Sequence, residues 1–151
     1  MLAAVVISFL LQYFSLISCQ NFVHPLTNPP GPSKDIETTF LYPELDKESL
    51  KLPIGKTSVV LCHVVNDGRI NYNITAIMGS LNHPNSFGLF IQNYSYKQIG
   101  VVIKPGDEMT FQYEIEVHKD LENAQYNLAH ILFYESDRSA FSTTFFNEVI
   151  I

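Results

Sequence analysis

Residues 108–118 read EMTFQYEIEVH and alternate apolar and polar side chains over their whole length. Apolar residues occupy the odd positions from Met109 to Val117, and charged or polar residues occupy the even positions. Successive side chains of a β-strand point to opposite faces of a sheet, so this pattern predicts a strand with one face on a core and the other in water. Glu114 and Glu116 are therefore interpreted as a solvent-exposed face rather than a catalytic carboxylate pair.

Short runs rich in Val, Ile, Thr, Phe and Tyr recur on both sides of this strand, separated by turn residues. This spacing is typical of a β-sandwich or barrel, and no stretch shows sustained helical periodicity. We predict an all-β, immunoglobulin-like antiparallel β-sandwich of seven or eight strands, without the Trp and paired cysteines of antibody domains. The other predicted strands are residues 36–42, 57–65, 70–81, 86–93, 98–103, 126–134 and 140–150.

Two turns are predicted from their residue types. Lys104-Pro105-Gly106-Asp107 has Pro and Gly at the positions that a type II turn requires. Asn66-Asp67-Gly68 is typical of a hairpin turn with positive φ, which would pair strand 57–65 with strand 70–81.

The alternation also assigns side chains to faces. In strand 70–81 we expect Tyr72, Ile74, Ala76 and Met78 to share one face, with Asn73 and Thr75 on the other. In strand 86–93 the parity predicts that Phe87, Leu89 and Ile91 are buried, and Asn93 shares that parity.

Length and composition limit the classes of protein. The chain has 151 residues and a formal net charge of −6, which suits one domain and excludes a broad basic face for nucleic acid. Residues 1–19 form an apolar run followed by small residues, which predicts a cleaved signal peptide. Residues 20–35 are interpreted as a Pro-rich linker, and residues 36–151 as the folded domain.

A signal peptide places the domain in a lumenal or extracellular compartment. Cleavage after Cys19 would leave Cys62 without a disulfide partner, so we expect a buried thiol that packs as a small apolar side chain. Two glycosylation sequons, at Asn73 and Asn93, are the candidate site residues.

The motifs of catalysis and cofactor binding are not found in the sequence. There is no nucleophile elbow, no glycine-rich phosphate loop and no grouped Cys and His with zinc spacing. Short acidic pairs such as Asp46 with Glu48 and Asp120 with Glu122 are typical of solvated turns, with weak lumenal calcium binding as the alternative. We predict that the chain is not an enzyme and that it has no cofactor or catalytic residue.

The segment 90–95, which reads FIQNYS, resembles the Ile-Gln-Asn-aromatic-Thr segment of the translocon-associated protein α-subunit family (signal sequence receptor α). The resemblance continues in order on both sides and covers roughly residues 36–151. Its further parts are residues 59–68, 101–105, 110–113, 126–134 and 145–147. The sequon that the family often has near Asn147 is not formed here, because Glu148 and Val149 follow, so no glycan is assigned there.

This resemblance implies a non-catalytic subunit at the endoplasmic reticulum membrane, with the domain on the lumenal side. The family assembles with β, γ and δ subunits beside the protein-conducting channel and assists the entry of nascent secretory chains. The family continues into a transmembrane helix and is associated with calcium, so anchoring and calcium binding are implied by resemblance alone. The alternative is a soluble secreted β-sandwich that carries a lipid ligand, for which we expect a deep apolar cavity between the sheets.

Overall fold

The structure is a computed structural model that describes residues 24–46, 48 and 50–150. The predicted signal peptide, residues 1–19, lies outside the described residues. The described chain contains eight strands and no helix, so no segment of it is a helix that could span a membrane. The strands are β1 (Ile36–Leu41), β2 (Thr57–Asn66), β3 (Tyr72–His83), β4 (Ser86–Asn93), β5 (Lys97–Ile103), β6 (Glu108–Glu116), β7 (Tyr126–Glu135) and β8 (Ala140–Ile150).

The strands form two sheets, and the pairs of named strands are all antiparallel. The first sheet has the order β1-β2-β6, and the second has the order β4-β3-β7-β8. β5 also pairs with β3, so β4 and β5 share one edge of that strand: residues 72–77 pair with β5 and residues 80–83 with β4. The predicted all-β sandwich is confirmed, with eight strands.

The core lies between the two sheets and explains the alternation seen in residues 108–118. Tyr113 and Ile115 of β6 are buried, whereas Glu114 and Glu116 are exposed, as predicted. Met109, beside the turn that precedes β6, is 41% exposed and does not join the core. The largest fully buried side chains are Tyr113, Tyr134, Phe146, Ile74, Ile77, Leu81, Ile103, Leu128, Leu132, His130, Val60 and Val64.

The predicted hairpin between β2 and β3 is wrong. β2 already pairs with β1 on one side and β6 on the other, so the chain crosses to the second sheet after Asn66. None of residues 66–68 has a positive φ. Asn66 is buried, and its Nδ2 donates hydrogen bonds to the carbonyl oxygens of Ile70 (2.8 Å) and Ile103 (3.1 Å). Its side chain therefore organises a crossover between sheets and not a hairpin.

The predicted type II turn before β6 is confirmed. The N–H of Asp107 donates to the carbonyl oxygen of Lys104 at 3.0 Å, and Gly106 has a φ of +80°, which a Cβ would strain. The turn joins β5 of the second sheet to β6 of the first. Its Gly106 N–H donates to the carbonyl oxygen of Asn66, so the two crossovers lie against each other.

A β-bulge changes the face assignment in β3. The register shifts between Ile74 and Ala76, which leaves Thr75 as the extra residue and reverses the side-chain parity beyond it. Tyr72, Ile74 and Ile77 therefore all lie in the inter-sheet core. Met78, expected on the Tyr72 face, instead packs on the outer face in a second apolar cluster, whose buried members are Leu26, Met78 and Ile131.

The expected burial of Phe87, Leu89 and Ile91 is also wrong. These β4 side chains are 43%, 54% and 38% exposed. β4 is an edge strand whose pairing with β3 is interrupted by two register shifts, and the three-stranded sheet opposite is narrower than the second sheet. Alternation predicts two faces correctly but does not show whether another layer covers one of them.

The described part of the Pro-rich segment lies against the outer face of the second sheet. Leu26 is buried there, and the hydroxyl of Ser142 donates to the carbonyl oxygen of Pro30 at 2.6 Å. The N–H of Ser33 donates to the hydroxyl of Tyr134 at 2.8 Å. These contacts attach residues 24–33 to the sandwich, while the linker and domain boundaries given above stay a prediction.

Candidate functional site

The segment that carries the family resemblance lies where β4 meets β6 of the other sheet. The Nε2 of Gln92 donates to the carbonyl oxygen of Glu116 at 2.8 Å, and its Oε1 accepts the N–H of His118 at 3.0 Å. The side-chain amide of Gln92 therefore makes a pair of hydrogen bonds to the backbone of residues 116 and 118, as the backbone of a neighbouring strand would. This amide fixes the end of β4 relative to the end of β6.

Tyr113 makes the second connection between the sheets at this place. Its hydroxyl donates to the carbonyl oxygen of Ser95 at 2.7 Å and accepts the N–H of Gly79 at 3.0 Å. Gly79 lies in the gap of β3 between the parts paired with β5 and β4, so this hydroxyl replaces a missing strand partner. Burial raises the pKa of Tyr113 to about 12, which keeps the hydroxyl protonated as a donor.

We expect the Tyr113→Phe substitution to lower the free energy of unfolding by about 2 kcal/mol. The reason is that the buried N–H of Gly79 would lose the hydroxyl oxygen that accepts its hydrogen bond. Urea unfolding with a constant m value would measure the change. The matched control is Tyr96→Phe, because Tyr96 is 53% exposed and its hydroxyl removal should change stability by less than about 0.5 kcal/mol. If Tyr113→Phe and Tyr96→Phe lowered the free energy of unfolding equally, the hydrogen bonds of Tyr113 would not stabilise the contact between the sheets.

Asn93, the second candidate sequon residue, is exposed at the end of β4. Tyr94, which follows it, is buried and donates its N–H to the carbonyl oxygen of Gly79 at 3.0 Å. Asn93 lies on the same face of β4 as Leu89 and Ile91, which were predicted to be buried. Because both side chains are exposed, this face leaves room for a glycan on Asn93. A groove of about 330 Å³ lies beside it, lined by Thr57, Gln92, Asn93, Tyr94, Ser95, Glu114, Ile115 and Glu116.

Asn73, the first candidate, has a more constrained position. It is half-buried within β3, between Val102 of β5 and Glu135 of β7. Its Nδ2 donates to Oε1 of Glu135 at 3.0 Å. A glycan on Nδ2 would have to replace this contact, whereas no side chain of the described residues binds Nδ2 of Asn93. The two sequons are therefore unequal in the folded domain.

A fully buried histidine was not identified from the sequence. His130 of β7 is 0% exposed. The centre of its ring lies 5.5 Å from the ring centre of Phe146, 5.6 Å from that of Tyr113 and 5.9 Å from that of Tyr42. Neither ring nitrogen has a hydrogen-bond partner in the described chain. Burial lowers the pKa of His130 to about 3, so the ring is neutral at physiological pH. The sequence could have predicted this burial, because His130 lies inside the apolar run 128–133 and such a run indicates a buried strand.

The single described cysteine is a packing residue. Cys62 is free and 0% exposed, as expected, and burial raises the pKa of its thiol to about 12. His63, its neighbour in sequence, points the other way and bonds Oγ1 of Thr110 through Nδ1 at 3.0 Å. A neutral, inaccessible thiol cannot act as a nucleophile.

The described residues do not form a metal centre. Within them, no group of three or more His, Cys, Asp or Glu side chains is arranged to hold an ion. Asp46 instead accepts the N–H of Glu48 at 3.0 Å, and Asp120 lies 3.7 Å from the ring of His118. The acidic pairs considered for calcium therefore do not form a cage of oxygen ligands in this structure.

The fold defines this chain as an all-β sandwich domain. The sequence model of the translocon-associated protein (TRAP) alpha subunit matches residues 33–150. The chain belongs to that family.

Two relatives and one solved structure illustrate the similarity. The chain is 32% identical to a translocon-associated protein subunit alpha of Dictyostelium discoideum, over 79% of this chain and 50% of the relative. It is 20% identical to the Oncorhynchus mykiss protein of that name, over 77% of this chain and 39% of the relative, so it spans half or less of either. The C-terminal domain of wzt shares the fold, with a TM-score of 0.54 and 13% identity over 81% of this chain and 80% of that chain.

Proposed function

We propose that this chain is a non-catalytic subunit of the translocon-associated protein complex, with its sandwich on the lumenal side of the endoplasmic reticulum membrane. The observation that carries the proposal is the family match over residues 33–150. The role is to assist the passage of nascent secretory proteins through the protein-conducting channel. Its partners are the β, γ and δ subunits, the channel and the nascent chains.

The exposed side chains of β4 support a role in binding proteins. Phe87, Leu89 and Ile91, hereafter the β4 surface, expose alternate apolar side chains on an edge strand. An edge strand with exposed apolar residues tends to bind another polypeptide or to aggregate, and cells keep such surfaces covered. A subunit of a permanent complex can cover this surface with a partner.

Co-purification from detergent-solubilised membranes tests the proposal. We expect the tagged chain to recover the β, γ and δ subunits together with the channel. Replacing the three residues of the β4 surface by serine should reduce this recovery, whereas Met109→Ser, at the opposite end of the sandwich, should not. A full-length product that is secreted alone would overturn the proposal.

Glycosylation at Asn73 and Asn93 is a proposal of the same account. Transfer occurs on sequons as a chain enters the lumen, so the Asn73–Glu135 hydrogen bond, which is exposed, should not prevent it. We expect Asn73→Gln and Asn93→Gln each to remove one step of gel mobility that peptide-N-glycosidase also removes. The double variant should match the enzyme-treated protein. Mobility that none of these changes alters would refute glycosylation at both residues.

Calcium binding is suggested by the family resemblance only. The described acidic pairs do not form a cage for it, and no part of the proposed function uses the ion. Calcium binding by this chain therefore remains a proposal that isothermal titration of the purified protein would test.

The lipid-carrier alternative is not favoured by the interior of the sandwich. Large side chains from both sheets, such as Tyr113 of β6 and Leu81 of β3, fill the space in which a lipid would lie. The groove at Phe40, Leu45 and Phe146, about 390 Å³ in volume, opens at the surface beside β1.

A further inference from the structure

Both arginines of the chain lie in one cleft. Seven of the nine basic residues are lysines, and the two arginines are Arg69 and Arg138. The fold brings them together from the β2–β3 crossover and the β7–β8 hairpin, which are far apart in sequence. The cleft has a volume of about 440 Å³ and is lined by Arg69, Ile70, Asn71, Ser136, Asp137 and Arg138.

Each half of the cleft is held by hydrogen bonds independent of the guanidinium groups. Asn66 binds the carbonyl oxygen of Ile70 and fixes the crossover. In the hairpin, the N–H of Ser136 donates to the carbonyl oxygen of Ser139 at 2.9 Å, and the N–H of Arg138 donates to the Ser136 hydroxyl at 3.4 Å. The arginine positions therefore follow from the backbone and do not depend on a salt bridge.

The two guanidinium groups are unpaired within the described part of this acidic protein. Neither has a carboxylate oxygen within 4.0 Å, although the chain has fifteen Asp and Glu residues and Asp137 lines the same cleft. Two cations that line one cleft both attract an oxyanion that enters it. Guanidinium is also the side-chain group that best matches the two oxygens of a carboxylate.

We propose that this cleft binds a carboxylate of an acidic peptide segment from a partner protein. Ile70 is 50% exposed in the cleft and offers an apolar contact that a peptide side chain can use. Asp137 can accept a peptide N–H, and its charge disfavours a dianion such as phosphate more than a single carboxylate. The inference goes beyond the proposed function, since it concerns a ligand chemistry and not membership of the complex.

Because the chain contains only two arginines, NMR spectroscopy can follow ligand binding at each of them directly. In the 15N-labelled chain, produced through a secretory route, the Nε–Hε region of the NMR spectrum contains signals from Arg69 and Arg138 alone. We expect an acetylated, amidated Gly-Glu-Gly peptide, which carries a single carboxylate, to shift both signals with one saturable curve that weakens as salt is added. Inorganic phosphate, titrated separately, should bind at least about tenfold more weakly.

Variants then assign the contact. Arg69→Gln and Arg138→Gln should each weaken peptide binding by about tenfold or more, because each removes a charge-assisted pair of hydrogen bonds. Lys56→Gln removes the same charge from an exposed residue outside the cleft and should leave binding unchanged. The proposal is overturned if the peptide shifts neither signal, if phosphate binds as tightly as the peptide, or if Lys56→Gln weakens binding as much as the arginine variants.

Discussion

Replacing Gly79 with alanine should lower the free energy of unfolding by about 3 kcal/mol, because the added methyl group has no room in the core. A Cβ at this position would lie 2.5 Å from Nδ1 of His130 and 3.2 Å from the carbonyl oxygen of Ala129. The His130 ring cannot easily move away, because Tyr113, Phe145 and Phe146 surround it. β3 cannot shift either, since β7 pairs with it along nearly its whole length.

Chemical denaturation of matched glycine variants measures this effect. Gly88→Ala is the control, because Gly88 also lies in a strand and no atom would come within 4 Å of its Cβ. If the cost arises from the imidazole, Gly79→Ala combined with His130→Ala should be less destabilising than the sum of the two single changes. Equal stability of the Gly79→Ala and Gly88→Ala proteins would contradict this reading of the core.

Acidification should destabilise the domain through His130. The pKa of this histidine is lowered from 6.5 to about 3 by burial, so between these values the unfolded chain binds a proton that the folded chain excludes. Its contribution to stability is complete above pH 6.5 and falls as the pH drops toward 3. From pH 7 to pH 4 the loss from this group is about 3 kcal/mol.

The groups around His130 do not compensate for a proton. Tyr42 and Tyr113, whose rings pack against His130, have pKa values raised by burial and stay neutral across this range. Phe145 and Phe146 carry no charge that could stabilise an imidazolium. A protonated His130 would therefore be a buried cation without a counter-ion.

Unfolding free energies measured between pH 4 and pH 7 test this linkage. His130→Leu should flatten the dependence by about 3 kcal/mol over the range, whereas Gly88→Ala, which changes no titratable group, should keep the wild-type slope. If His130→Leu does not fold at pH 7, the wild-type profile alone still tests the linkage, because a free energy of unfolding that does not fall between pH 7 and pH 4 would exclude it.

The strands were predictable because their signals are local. Residues 86–93 and 140–150 were predicted as strands and match β4 and β8 residue for residue. The type II turn at Lys104–Asp107 was likewise predictable, because Pro105 and Gly106 restrict the backbone within four residues. The buried thiol of Cys62 was predicted because cleavage after Cys19 would leave this cysteine without a disulfide partner.

The errors came from strand pairing and layer coverage. The residues 66–68 have the composition of a hairpin turn, but both edges of β2 are occupied by β1 and β6, so the chain crosses to the other sheet. The bulge at Thr75 reversed the face of Met78, and a narrow opposite sheet left Leu89 exposed. Each outcome depends on residues distant in sequence.

The sequence by itself determined where the strands and the turn before β6 lie and that the domain is all-β, because alternation and turn chemistry act between neighbouring residues. It also carried the two sequons at Asn73 and Asn93 and the family resemblance. Only the tertiary structure decided that His130 lies against Gly79, that Tyr113 connects the two sheets, and that Arg69 and Arg138 share a cleft. These contacts join residues about 35 to 70 positions apart, and packing free energy summed over both sheets selects them where local preference cannot.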